Sequence, residues 1–243
     1  MEHPGAAFYG DVWADVYDEY HGGRDASDAV PTLADLAAGG RVLEMGIGTG
    51  RLALPLAETG VQIHGLDASQ AMVDRLRAKP GGGRIPVTIG DFADVGVEGT
   101  YRLIFVAFNT FFALPSQEDQ VRCFANVADH LTDDGVFVIE AFVPDMTRYV
   151  RGQDNKVSVI ENDRIRLDAS LHDSVNQRVS SQHVIISEAG VKLLPVAIRY
   201  AWPSELDLMA RLAGLRLSER WADWDRSPFT AGSWKHVSVY ASQ

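Results

Sequence analysis

Between Val42 and Gly50 the sequence reads Val-Leu-Glu-Met-Gly-Ile-Gly-Thr-Gly: a short apolar run, a carboxylate at Glu44, then glycines on alternate residues. Asp67 follows Glu44 by 23 residues and Asp91 follows Asp67 by 24, each closing an apolar run. Singly, such residues have plain uses: glycines let a helix pack close to a strand, and aspartates cap turns. Together, at these spacings, they outline a nucleoside pocket on the ends of successive parallel strands. A dinucleotide fingerprint needs its last glycine one residue later, where this chain has Arg51. A redox nucleotide is therefore the weaker expectation.

The spacing Glu44-x-Gly46-x-Gly48-x-Gly50 resembles motif I of class I S-adenosylmethionine-dependent methyltransferases, with glutamate where aspartate is commoner. The resemblance continues through Gly65-Leu66-Asp67-Ala68-Ser69, Gly90-Asp91-Phe92 and Leu131-Thr132-Asp133-Asp134-Gly135. It implies S-adenosyl-L-methionine as cofactor, with Gly46, Gly48 and Gly50 giving backbone approach to its methionine and adenosine portions. Glu44 then organises the turn and meets the methionine ammonium. Asp67, with Ala68 beside it, takes the ribose hydroxyls, and Asp91 accepts from the adenine amino group. The Phe92 backbone N–H meets a ring nitrogen, and its ring sandwiches the base with Met72. The implied reaction is in-line methyl transfer to an amine or hydroxyl of a small molecule, a secondary metabolite or sugar.

Methyl transfer from a sulfonium asks for orientation more than for acid–base machinery. The segment Phe108-Asn109-Thr110-Phe111-Phe112 follows the fourth apolar run, where acceptor and sulfonium are expected to meet. It lacks the prolines of nucleobase or amide methyltransferases and the carboxylates of metal-dependent catechol enzymes. Asn109 is the functional candidate there, and Phe108 the cofactor-side one; the two following rings serve equally well as core. Trp13, Tyr17 and Tyr20 recur at helical spacing beside His21. The resemblance assigns Tyr17 a place over the donor methyl, on a lid helix. None of the seven histidines is spaced for a metal, and no metal is expected. His172, next to Asp173 at a turn, is the candidate base, ahead of His21 and His236. His64 and His130 read as structural.

Alternating apolar runs and helical periods predict an α/β fold with a parallel sheet closed by an antiparallel pair. The resemblance implies the Rossmann-like seven-stranded methyltransferase form, with an N-terminal helical lid over 1–40 and a core over 41–143 and 204–243. One lid helix is expected over 11–21, ending at Gly22-Gly23. Ser69 should cap a helix with Met72, Val73 and Leu76 inward, and Ser116 another with Val121, Phe124, Ala128 and Leu131 inward. Between 144 and 203 the helical period vanishes. Strand-like runs at 157–161, 164–171, 178–186 and 191–201 read as an inserted antiparallel β meander. Arg148, Tyr149, Tyr200 and Trp202 are its candidate acceptor contacts, with Arg199 on the opposite face.

The 22 basic and 33 acidic residues give a net charge of −11, which opposes nucleic acid and anionic membranes. Cys123 is the sole cysteine, so no intramolecular disulfide forms. The first residues lack the regions of a secretory leader, and the longest apolar stretch is too short to span a bilayer. These point to a cytoplasmic enzyme, with a homodimer through the exposed edge of the meander. A nicotinamide-dependent oxidoreductase and a cofactor-binding protein without turnover are the alternatives.

Overall fold

A computed structural model describes residues 5–23 and 26–243; the N-terminal tetrapeptide, on which part of the leader reading rests, lies outside them. Five strands form the parallel centre: β1 (Val42–Met45), β2 (Ile63–Asp67), β3 (Val87–Ile89), β4 (Tyr101–Val106) and β5 (Leu131–Phe142). β10 (Leu215–Trp221) and β11 (Lys235–Ser242) close the sheet, with β11 antiparallel to both neighbours. The order is β3-β2-β1-β4-β5-β11-β10. β1 therefore stands where the strand order reverses, and a crevice opens outside the carboxyl ends of such strands.

The central strands β1 and β4 are buried on both faces, as strands covered by helices on either side must be, whereas β3 and β10 at the sheet edges are partly exposed. Helices α3 (Ala29–Ala37) and α4 (Ala53–Glu58) cover one face, where Leu33 and Leu56 join Leu103, Phe105 and Val138. Helices α6 (Gln117–Asp129) and α7 (Pro203–Leu212) cover the other, where Phe124 and Met209 join Ile104, Val106, Phe137 and Ile139. Helix α5 (Gln70–Arg77) starts as expected: the Ser69 hydroxyl accepts from the Met72 N–H, and Met72, Val73 and Leu76 are buried.

Three expectations need correction. The lid is two short helices, α1 (Phe8–Trp13) and α2 (Tyr17–His21), because its anchors pull in different directions. In α1, the Trp13 indole donates to the Pro195 carbonyl at 3.2 Å and Asp11 accepts from Ser69 at 2.7 Å; in α2, Asp18 accepts from Thr49 at 2.6 Å. In α6 the buried set is Gln120, Cys123, Phe124 and Val127. Val121 and Ala128 are only half-buried, since Gln120 turns inward to donate to the Arg199 carbonyl at 2.8 Å. Leu131 opens β5 instead of ending α6, and the register against β4 breaks before Val136.

Four strands form the inserted antiparallel sheet: β6 (Gln153–Ile160), β7 (Arg164–Asp173), β8 (Arg178–Ser187) and β9 (Gly190–Arg199). One face, carrying Asp168, Ser170, Val179, Ile185 and Leu194, is buried toward lid and core. The other exposes Val157, Leu171, Val191 and Leu193. Among the described residues no helix is long and apolar enough to cross a membrane.

Candidate active site

The turn after β1 carries Gly46, Gly48 and Gly50, all at positive φ. A Cβ at Gly50 would run into Leu76, so that glycine serves close packing of the turn on α5. At Gly48 the φ is +55° and a Cβ would meet nothing nearer than the Gly46 carbonyl at 3.9 Å. The space in front of Gly48 is open to a ligand approaching the backbone. The Gly48 N–H donates to Asp67 Oδ2 at 2.7 Å, and the Ser69 N–H donates to Oδ1 at 2.9 Å. Burial pushes the Asp67 carboxyl up, and these backbone bonds offset part of that rise. A carboxylate has about four lone-pair positions, so Asp67 keeps capacity for ribose hydroxyls while it ties the first turn to the second.

Glu44 is 5% exposed and its Oε2 has no hydrogen-bond partner among the described residues. Burial pushes its carboxyl up to about 8 against the pull of Arg51. A buried oxygen without a donor is costly, and an ammonium from a ligand would satisfy it. The orphaned Glu44 oxygen and the open face of Gly48 both fit a bound aminoacyl nucleoside. Beyond β3, Asp91 accepts from the Ala93 N–H at 2.9 Å. Asp91 and Phe92 line a cavity of about 290 Å³ together with Phe8 and Tyr9 of α1 and Leu114. That cavity suits a purine ring. Met72 packs against the lid instead of lining it.

The turn after β4 is strained: Phe108 and Asn109 lie at φ +54° and +64° without being glycine. Glu140 on β5 holds both residues. Its Oε2 accepts from the Phe108 N–H at 2.9 Å, and its carbonyl accepts from the Asn109 N–H at 3.0 Å. Asn109 Oδ1 in turn accepts from the Phe142 N–H at 2.7 Å, so this amide spends its oxygen on fixing the turn.

The lid closes over this turn. His21 packs on Tyr17 (4.9 Å between ring centres), on Trp13 (5.5 Å) and on Phe108 (5.4 Å). Asp18 clamps α2 to the glycine turn through Thr49 and a 2.7 Å ion pair to Lys79, which also donates to the Thr49 carbonyl at 2.9 Å. Tyr20 faces away, beside Arg164 and Arg166. His183 and Asp168 pair at 2.5 Å under Trp13. Burial would raise the Asp168 carboxyl, but the bonds from His183 and Arg166 outweigh it and hold it low. Position in the chain gives no signal for this pair, because only the meander's register brings 168 opposite 183.

His172 lies within β7, not at a turn. Its Nε2 bonds the Tyr200 hydroxyl at 2.9 Å and its ring stacks on Tyr149 at 4.3 Å, so three of the acceptor-side candidates do meet. Arg148 pairs with Asp154, and Trp202 is 40% exposed ahead of α7. Arg199 enters a buried network with Gln120 and Glu205. His64 bonds Tyr101 and Thr88, and His130 bonds the carbonyls of Asn126 and Val97, as structural histidines do. His236 is buried and pushed down to about 3 by that burial, with help from Arg220, which suits neutral packing instead of base chemistry.

The family model described as a methyltransferase domain matches residues 42–135, the stretch from β1 into β5. The solved CcbJ methyltransferase from Streptomyces caelestis is 41% identical with a TM-score of 0.92, covering 98% of this chain and 99% of its own. The cypemycin N-terminal methyltransferase from Streptomyces sp is 27% identical over 242 residues, 94% of this chain and 98% of that protein. SAM-bound CalS10, an amino pentose methyltransferase from Micromonospora echinaspora, shares the fold: TM-score 0.67, 21% identity, covering 92% of this chain and 96% of its own.

Proposed function

This chain belongs to the class I S-adenosylmethionine-dependent methyltransferases, with S-adenosyl-L-methionine as its cofactor, and from that premise we propose that it methylates an amine nitrogen of a small natural product. The observation that carries the reading is the aromatic enclosure of Tyr17, His21 and Phe108 over the strained turn after β4. Aromatic faces favour a positively charged group by about 0.5–2 kcal/mol, and an amine acceptor becomes cationic as it accepts the methyl. The relative acting on the cypemycin N-terminus supports nitrogen as acceptor. The net charge of −11 supports a small molecule over a nucleic acid.

When bound, the cofactor supplies a methyl already activated on sulfur, so the protein must orient the acceptor and keep water out. In this reading Gly46, Gly48 and Gly50 admit the methionine and adenosine portions. Glu44 takes the ammonium, Asp67 with Ala68 the ribose, and Asp91 with Phe92 the adenine; Met72 backs the lid over the base. Phe108 and Tyr17 flank the reacting centre. Asn109 holds the turn in its left-handed conformation, and His172 lines the acceptor side with Tyr149 and Tyr200. The Asp18–Thr49–Lys79 clamp keeps the lid shut. The chain is a cytoplasmic enzyme in this reading, with Cys123 buried as a core thiol. β9 packs on α1, which leaves β6 as the open edge for the expected homodimer. A monomeric mass in solution would contradict that pairing.

Incubation of the enzyme and S-adenosylmethionine with matched panels of primary amines, secondary amines and alcohols, read by mass spectrometry, tests the function. N-methylated products are expected. Methylation confined to alcohols would overturn the nitrogen assignment. No product from any panel, despite S-adenosylhomocysteine binding, would favour a cofactor-binding protein without turnover.

A further inference from the structure

A cavity of about 310 Å³ lies on the α3 side of the Phe108 turn and is used by none of the roles assigned above. Its walls include Arg51, Phe108, Glu140, Asp223, Trp224 and Lys235. We propose that it is the docking subsite for the non-reacting part of the acceptor, and that it selects a neutral, polyhydroxylated ring. This rests on the methyltransferase reading and extends it to the substrate's recognition.

The chemistry of the walls argues for that class. The Arg51 guanidinium stands over the Phe108 ring, 5.6 Å from its centre, and no described residue accepts a hydrogen bond from it. Lys235 pairs with Asp223 at 2.5 Å and stands 3.8 Å from Glu140 Oε1, too long for a hydrogen bond. Donors and acceptors thus face one space together. A cationic group would be repelled by Arg51 and Lys235; an anionic one would meet Glu140, Asp223 and Asp28. A hydroxyl both donates and accepts, so a ring bearing several satisfies both sets. The Phe108 and Trp224 rings offer apolar walls for the C–H faces of such a ring. A volume near 300 Å³ is at the small end of ligand pockets, suited to one ring.

The subsite also touches the reacting turn directly. Glu140 uses Oε2 to hold the Phe108 amide and presents the side of Oε1 to Lys235. Its two oxygens therefore connect recognition in the cavity to the position of Phe108.

Two compounds that carry the amine outside the ring test this: methyl 6-amino-6-deoxyglucopyranoside, whose ring bears hydroxyls, and cyclohexylmethylamine, whose ring bears none. Wild-type enzyme is expected to show kcat/KM for the hydroxylated ring higher by about tenfold or more, since sites built for hydroxyls discriminate strongly against their loss. In Lys235→Met and Asp223→Asn the preference should fall to within about twofold, with the S-adenosylhomocysteine Kd unchanged within about twofold. Retained cofactor-product binding also reports that each variant is folded. Equal turnover of the two rings by wild type, or a preference that survives both substitutions, would overturn the subsite. So would a large loss of S-adenosylhomocysteine affinity in both variants, which would give the cavity to the cofactor. Failure of both rings while the amine panel is methylated overturns the subsite alone; failure of the panel as well overturns the function beneath it.

Discussion

Asp67→Ala is expected to weaken S-adenosylhomocysteine binding by about 100-fold or more, measured by calorimetry. Hydrogen bonds to a charged group contribute about 1.5–3 kcal/mol each, and a ribose offers two donors. Loss of both approaches 3 kcal/mol or more, and each 1.4 kcal/mol is tenfold in affinity. The same substitution leaves the Gly48 and Ser69 amides without their acceptor, so the turn loosens as well as losing the ligand contact. Stability should fall by only about 1–3 kcal/mol, because two backbone donors lose a partner and no large side chain leaves the core. Asp67→Asn retains one amide acceptor and should fall between wild type and alanine. Affinity unchanged in Asp67→Ala would remove the ribose assignment.

Glu44 gives the second large effect, and it is a pH effect. Its carboxyl is raised to about 8 in the folded protein against 4.5 as reference, so the folded state holds a proton between those values that the unfolded chain has released. Stability of the ligand-free protein therefore falls as pH rises from 4.5 toward 8, by on the order of 3 kcal/mol at pH 7. An ammonium placed against Glu44 favours the ionised carboxylate, so ligand binding below pH 8 must expel that proton. S-adenosylhomocysteine affinity should climb by up to about tenfold per pH unit from pH 6 and flatten near 8. At pH 7 the binding enthalpy should differ between phosphate and Tris buffers by close to the full difference between the two buffers' ionisation heats, as release of about one proton requires. Glu44→Gln should abolish both the pH slope and the buffer dependence. A flat pH profile in wild type would show that Glu44 does not meet the ammonium.

The cofactor half could be read along the chain because its residues act where the backbone puts them. A glycine turn, Asp67 and Asp91 each end a strand, and parallel strands align their ends whatever else the fold does. The lid was harder, because Trp13, Asp11 and Asp18 reach three different partners and the helix breaks to serve them all. The inward face of α6 shifted for a similar reason: a buried polar network centred on Arg199 makes Gln120 a core residue against its hydropathy. On the acceptor side, the meander's runs were visible from alternation, but its functional neighbours were not. His183 meets Asp168, and His172 meets Tyr200, through strand register and not through closeness in sequence. In the sequence Arg51 stands out only for missing the dinucleotide template; its guanidinium comes over the Phe108 ring because β1 and β4 are parallel neighbours whose following turns lie side by side.

Crystallisation with S-adenosylhomocysteine addresses the central claim most directly. The ribose hydroxyls should lie within hydrogen-bond distance of Asp67, with the adenine between α1 and Phe92 and the ammonium at Glu44. A complex with the nucleoside elsewhere, or with the crevice before Gly48 filled by the protein's own side chains, would contradict the account.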